Sequence, residues 1–197
     1  MSIYEIIRYV YVTIGIATIF FIPIVVIRCY LLKKKGKKND WKYEIASKCF
    51  IFYLLCLYQI TALRLGGLGW NLDNMLARRT RVNSEPLFAI WNWAVKGVWW
   101  YFIYNVIGNC IWFIPMGILL PAIYKSYRGY LWRVVFIGMV TSSAIEILQY
   151  ILCTGVTDID DVICNTIGTA MGYGIWVVIN RIRKGLKSKK VLSSKYS

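Results

Sequence analysis

Apolar positions along this chain run in long unbroken blocks, without the alternation of a strand or the single stripe of a surface helix. That pattern predicts helices that cross a membrane. Uncharged runs cover Tyr9 to Ile27 (19 residues), Gly97 to Tyr124 (28) and Val162 to Asn180 (19), against the roughly 20 residues a spanning helix needs. Two further runs are less clean. Cys49 to Leu63 is 15 residues between Lys48 and Arg64, whose long side chains can snorkel from the ends to the headgroups. Val134 to Leu152 is interrupted once, by Glu146. The pattern predicts an all-α polytopic membrane bundle of about five transmembrane helices.

Composition supports this reading: 58% of the 197 residues are hydrophobic and 17% charged, too apolar for an ordinary soluble domain. The first run is too long for the core of a signal peptide and lacks a basic start, so it reads as a retained anchor. We divide the chain into residues 1–44, a first helix with a lysine-rich link; 45–180, the main transmembrane domain; and 181–197, a basic tail.

The cations add an orientation. Six lysines lie between Lys33 and Lys42, Lys125, Arg128 and Arg133 flank the next alternate link, and seven cations lie between Arg181 and Lys195. The other links are poorer, with five cations in the 35 residues from Arg64 to Val98 and none from Cys153 to Asp161. Cytoplasmic flanks collect Lys and Arg, which predicts an external N-terminus, a cytoplasmic C-terminus and a multi-pass protein of the cell membrane. Topology thus accounts for most of the net charge of +15, which argues against nucleic acid as the partner and for membrane lipids. The link from Arg64 to Val98, with Trp70, Trp91 and Trp93, is expected along the outer surface, since tryptophan favours the interface.

Candidate chemistry is concentrated late in the chain. Four of the nine acidic residues, Glu146, Asp158, Asp160 and Asp161, fall within two apolar segments and the short link between them. A carboxylate near lipid costs roughly 2.5 to 3.5 kcal/mol at a helix centre on insertion scales, so acids there are paired or functional. Helical spacing gathers polar residues into stripes: Asn105 and Asn109; Ser142, Glu146 and Gln149; Asp161, Asn165, Gly168 and Gly172. Glu146 lies six residues before Leu152, roughly 9 Å from that helix end. All three stripes then fall in the outer half of the membrane and predict one polar cluster opening outward.

Each feature also has a plain structural reading. The asparagines can hold helices together, the glycine pair can let a neighbour approach closely, and Pro115 and Pro121 can bend their helix. One aspartate of the three can cap the helix that follows, while a divalent cation with oxygen ligands is the functional alternative. Glu146 has no cation on its own span, leaving Arg64, Arg78, Arg79 and Arg81 as candidate partners. Among the six cysteines, Cys153 and Cys164 bracket the acidic link at a spacing that permits a disulfide. The absence of histidine and of close cysteine pairs argues against zinc. We assign no metal and no cofactor.

Three elements in order resemble the VanZ family of bacterial membrane proteins. The segment Asn105-Val-Ile-Gly-Asn109 through Phe113-Ile-Pro115-Met-Gly117 resembles the family's asparagine followed by Phe-x-Pro-x-Gly. Glu146-Ile-Leu-Gln149 resembles its Glu-x-x-Gln, and Asp158-Ile-Asp160-Asp161 with Asn165-Thr166-Ile-Gly168 resembles its final signature. Many members carry an arginine just before that signature, where Gly155-Val-Thr157 stands here. The resemblance implies a helical membrane domain and, from the founding member, low-level resistance to teicoplanin, a lipid-bearing glycopeptide. It implies no reaction. It marks Asn105, Asn109, Glu146, Gln149, Asp158, Asp160, Asp161 and Asn165 as the functional cluster, without catalytic roles.

The expected function is therefore a non-enzymatic envelope protein whose cluster binds a lipid-linked wall precursor or a lipoglycopeptide. Two alternatives stay open. One is a metal-assisted membrane enzyme acting on a phospholipid or glycolipid with Glu146 as acid or base; the other is an ion-coupled transporter.

Overall fold

The computed structural model describes residues 3–36, 40–65 and 81–193. Helix α1 spans Ile3–Lys34, and α2 spans Trp41–Tyr58, continuing through a π-helical turn at Gln59–Leu63. A three-residue strand β1, Arg81–Asn83, precedes a short helix α3, Phe88–Val95. The next helix begins as α4, Trp99–Phe102, loosens into a π-helical stretch at Ile103–Ile107, and runs on as α5, Gly108–Ile123. A 3₁₀ turn at Lys125–Tyr127 leads to α6, Leu131–Leu152, then strand β2, Val156–Asp158, and a final helix α7, Ile159–Ser193.

Five of these helical stretches are long and apolar enough to cross a membrane: Ile7–Lys34, Trp41–Leu63, Asn105–Ile123, Leu131–Leu152 and Ile159–Leu186. The protein is an all-α polytopic bundle. The second span, only 15 apolar residues in the sequence, becomes a 23-residue helix because its first turns accept charge. Asp40 caps it by accepting the Lys42 N–H at 3.1 Å, and Glu44 pairs with Arg28 of α1 at 3.0 Å.

The interior is the reverse of a lipid-facing surface. Leu57, Phe113, Met116, Val134 and Ile145 are buried at the centre, while Ile19, Phe20, Val26, Phe136, Val140, Ile147 and Ile151 face outward. In lipid such outward apolar side chains are the solvated ones. Helix α1 is peripheral, with 11% of its span buried against 33% for each of the last three; it leans on α2, where Phe21 meets Phe52 edge to face.

Helices α5 and α7 form the tightest pair. A Cβ on Gly168 would fall onto the Cys110 carbonyl, one on Gly172 onto the Ile114 carbonyl, and one on Gly117 onto the Thr169 carbonyl. The glycine pair read from the sequence is thus matched by a third glycine on the facing helix, and the two backbones meet without side chains between them. Pro115 and Pro121 both lie inside α5.

The link expected along the outer surface carries β1 and α3, and β1 pairs in parallel with β2, with Arg81 opposite Val156 and Asn83 opposite Asp158. Three-residue strands leave no periodic trace in a sequence. Trp70, Arg78 and Arg79 lie outside the described residues.

Candidate functional site

At the end of the bundle that holds the last turn of α6 and the first turn of α7, the three polar stripes meet. Asn109 of α5 donates its amide N–H to Asp161 at 2.5 Å. One turn further along α7, Asn165 donates to the Ser142 hydroxyl of α6 at 2.8 Å, and both are buried. Four residues on from Ser142, the buried Glu146 accepts the backbone N–H of Asp158 at 2.8 Å. Gln149, the next stripe member, reaches the other way and donates to the Thr61 carbonyl in the π-helical turn of α2 at 3.0 Å.

The three aspartates divide their work. Asp158 caps α7, accepting the Asp160 N–H at 2.9 Å, and also accepts from the Asn83 amide of β1 at 2.9 Å. Asp160, 3% exposed, accepts the Leu87 N–H at 2.5 Å and so fixes the entry to α3. Asp161 faces Asn109. Each carboxylate is thus held by an N–H donor, and among the described residues no three of these acids are gathered as metal ligands would be. Asn105, half-buried, lies in the π-helical stretch that joins α4 to α5.

Of the four arginines expected as partners of Glu146, Arg64 is engaged elsewhere, while Arg78, Arg79 and the side chain of Arg81 lie outside the described residues. Arg64 donates to the Thr61 carbonyl at 2.9 Å and the Thr154 carbonyl at 3.0 Å, so it clasps two chain ends and forms no ion pair with Glu146 among the described residues. Among the described side chains, the four carboxylates share this end with Arg64 and a set of neutral donors. The Cys153 and Cys164 thiols are free and buried. Cys164 instead lies against Cys110, whose thiol meets the Cys164 carbonyl at 3.2 Å.

Several members of the cluster escape the sequence reading. Gln59, 1% exposed, donates to the Leu65 carbonyl at 2.7 Å, and Thr154 donates its hydroxyl to the Ala62 carbonyl at 2.7 Å. Gln59 and Thr61 were detectable as polar residues inside an apolar run. Asn83 and Thr154 carry no such signal, because they sit in the links between spans, where polar residues are ordinary.

Five apolar helices around a buried core, closed at one end by a network of acids and amides, define a multi-pass membrane protein. The chain belongs to the VanZ/LLP1 family, which it matches over residues 50–180. It is similar to Protein VanZ of Enterococcus faecium, with 33% identity over 142 residues, 71% of this chain and 81% of that one. All eight residues singled out from the sequence fall inside the family match. No solved structure matches the chain.

Proposed function

We propose that this protein is a component of the cell membrane that contributes to teicoplanin-type glycopeptide resistance, its polar cluster seating the head of an amphiphile. The ligand is a lipid-linked wall precursor or a lipid-bearing glycopeptide, whose tail stays in the bilayer. On this reading the N-terminus is external, the C-terminus is cytoplasmic and the cluster opens outward, in keeping with the cation-rich links at the opposite end.

One observation carries the reading. Gln59 Oε1, Gln149 Oε1, Asp160 Oδ2 and Asn165 Oδ1 are buried acceptors without a donor among the described residues. The amide nitrogens of Gln59 and Gln149 are committed to carbonyls and that of Asn165 to a hydroxyl, so oxygen is the free end of each. An unmet buried polar group costs about 1–3 kcal/mol. A head rich in hydroxyl or amine N–H groups supplies the missing donors. Membership of the VanZ/LLP1 family, whose founding member is linked to low-level teicoplanin resistance, supports the same reading.

The test is drug susceptibility in a sensitive Gram-positive host carrying wild type or Glu146→Gln at matched membrane levels. Wild type is expected to protect against teicoplanin more than against vancomycin, and the variant to lose that protection. Equal protection against both drugs, or a fully protective variant, removes the reading.

A further inference from the structure

We infer that the opposite, basic end of the bundle carries a second site, which takes the phosphate headgroup of an anionic phospholipid. A cleft of about 720 Å³ opens between the link after α5 and one face of α7. Its walls include Arg128, Trp176, Val177, Asn180, Arg181 and Lys184, and none of the residues lining it is acidic. The α7 members follow i, i+3, i+4, i+7, i+8 and i+11 from Tyr173, which places them on one helix face.

Chemistry changes along that face. Tyr173, Trp176 and Val177 come first, and Asn180, Arg181 and Lys184 follow toward the helix end. From Tyr173 to Lys184 the rise is roughly 16 Å at 1.5 Å per residue. The cleft therefore passes from an apolar aromatic floor to a cationic rim, as a phospholipid passes from acyl chain to phosphate. A free phosphate ion would use the rim alone, which is why the lipid fits better.

The rim is partly preorganised. Arg128 donates through Nε to the Pro121 carbonyl at 2.8 Å and through Nη2 to the Ala122 carbonyl at 2.9 Å. These neutral acceptors, at the last turn of α5, hold the guanidinium without cancelling its charge. Gly129, at φ +85°, turns the link so that its N–H donates to the Tyr173 hydroxyl at 3.0 Å, tying Arg128 to the cleft floor. Arg181 and Lys184 make no hydrogen bond or ion pair among the described residues. Three cations facing one cleft repel one another, and a bound phosphate diester relieves that repulsion while accepting their N–H groups.

The experiment titrates purified full-length protein in a neutral detergent with phosphatidylglycerol, phosphatidylcholine or inorganic phosphate, and counts bound lipid by native mass spectrometry. Wild type is expected to retain phosphatidylglycerol selectively. Arg181→Gln with Lys184→Gln is expected to weaken that binding about thirtyfold, at roughly fivefold for each of the two surface cations. Lys33→Gln with Lys34→Gln, at the same end on α1, is expected to leave it unchanged. Equal retention of both lipids, equal loss in the two double variants, or displacement of the lipid by inorganic phosphate at matched concentration would each overturn the assignment.

Discussion

The two ends of this bundle handle charge in opposite ways. At the acidic end the bonds join residues far apart in the chain: Asn109 to Asp161, Asn83 to Asp158, Gln149 to Thr61 and Arg64 to Thr154. At the basic end they are mostly local, as Arg128 reaches Pro121 and Ala122 and Arg133 reaches Ser126. Side-chain length explains much of the difference. Asp and Glu are short and cannot withdraw to water from a position inside the helix, so their neighbours must satisfy them. Arg and Lys have long stems that carry the charge out to the headgroups. The acidic end is consequently knitted and buried, and the basic end is open.

That contrast can be broken at Glu146. Glu146→Ala removes the acceptor of the Asp158 N–H and leaves a small cavity, an expected loss of about 3 kcal/mol. Glu146→Gln keeps an acceptor for the same N–H and is expected to cost less than half as much. Thermal unfolding in detergent at matched protein concentration separates them. Similar melting for the two would mean that the Glu146 bond does not hold β2 in place.

A smaller effect is expected from Gly168→Ala, next to the cluster, where the added Cβ meets the Cys110 carbonyl. Backbone there cannot swing aside as a side chain could, so a loss of about 2 kcal/mol is expected from overpacking, and the same melting measurement reads it. Gly174→Ala, on α7 where a Cβ meets nothing within 4 Å, serves as the control and should leave the melting temperature unchanged or slightly raised.

The smallest effect belongs to the basic end. Arg181→Gln with Lys184→Gln should change stability in lipid-free detergent by under about 0.5 kcal/mol, since exposed charges without partners contribute little. A large loss would show that the open end is as knitted as the acidic one, and the contrast between the ends would fail.

How much of this was legible beforehand differs by level. All five spans were readable because lipid demands long, uniformly apolar stretches whatever the rest of the fold does. Their ends were less so: Cys49 to Leu63 underestimates α2 because Lys42, Glu44 and Lys48 look like a boundary until Arg28 is seen beside Glu44. The cluster was legible as stripes, since Asn105 and Asn109 or Ser142, Glu146 and Gln149 share a face by spacing alone. Its pairings were not. Glu146 accepts a backbone N–H, and Arg64, one of its expected partners, serves two carbonyls instead of a carboxylate.

The sequence by itself determined which segments enter the membrane and which residues share a helix face, because both follow from local chemistry and the fixed 3.6-residue turn. Tertiary structure alone decided that the stripes meet, and that Asn83, Gln59 and Thr154 join them. It also decided that the thiols stay apart, and that Arg128 folds back beside α7 to line a cleft. Those outcomes depend on how helices approach one another. That approach is set by the Gly117, Gly168 and Gly172 contacts and by hydrogen bonds between residues dozens of positions apart, which no local pattern records.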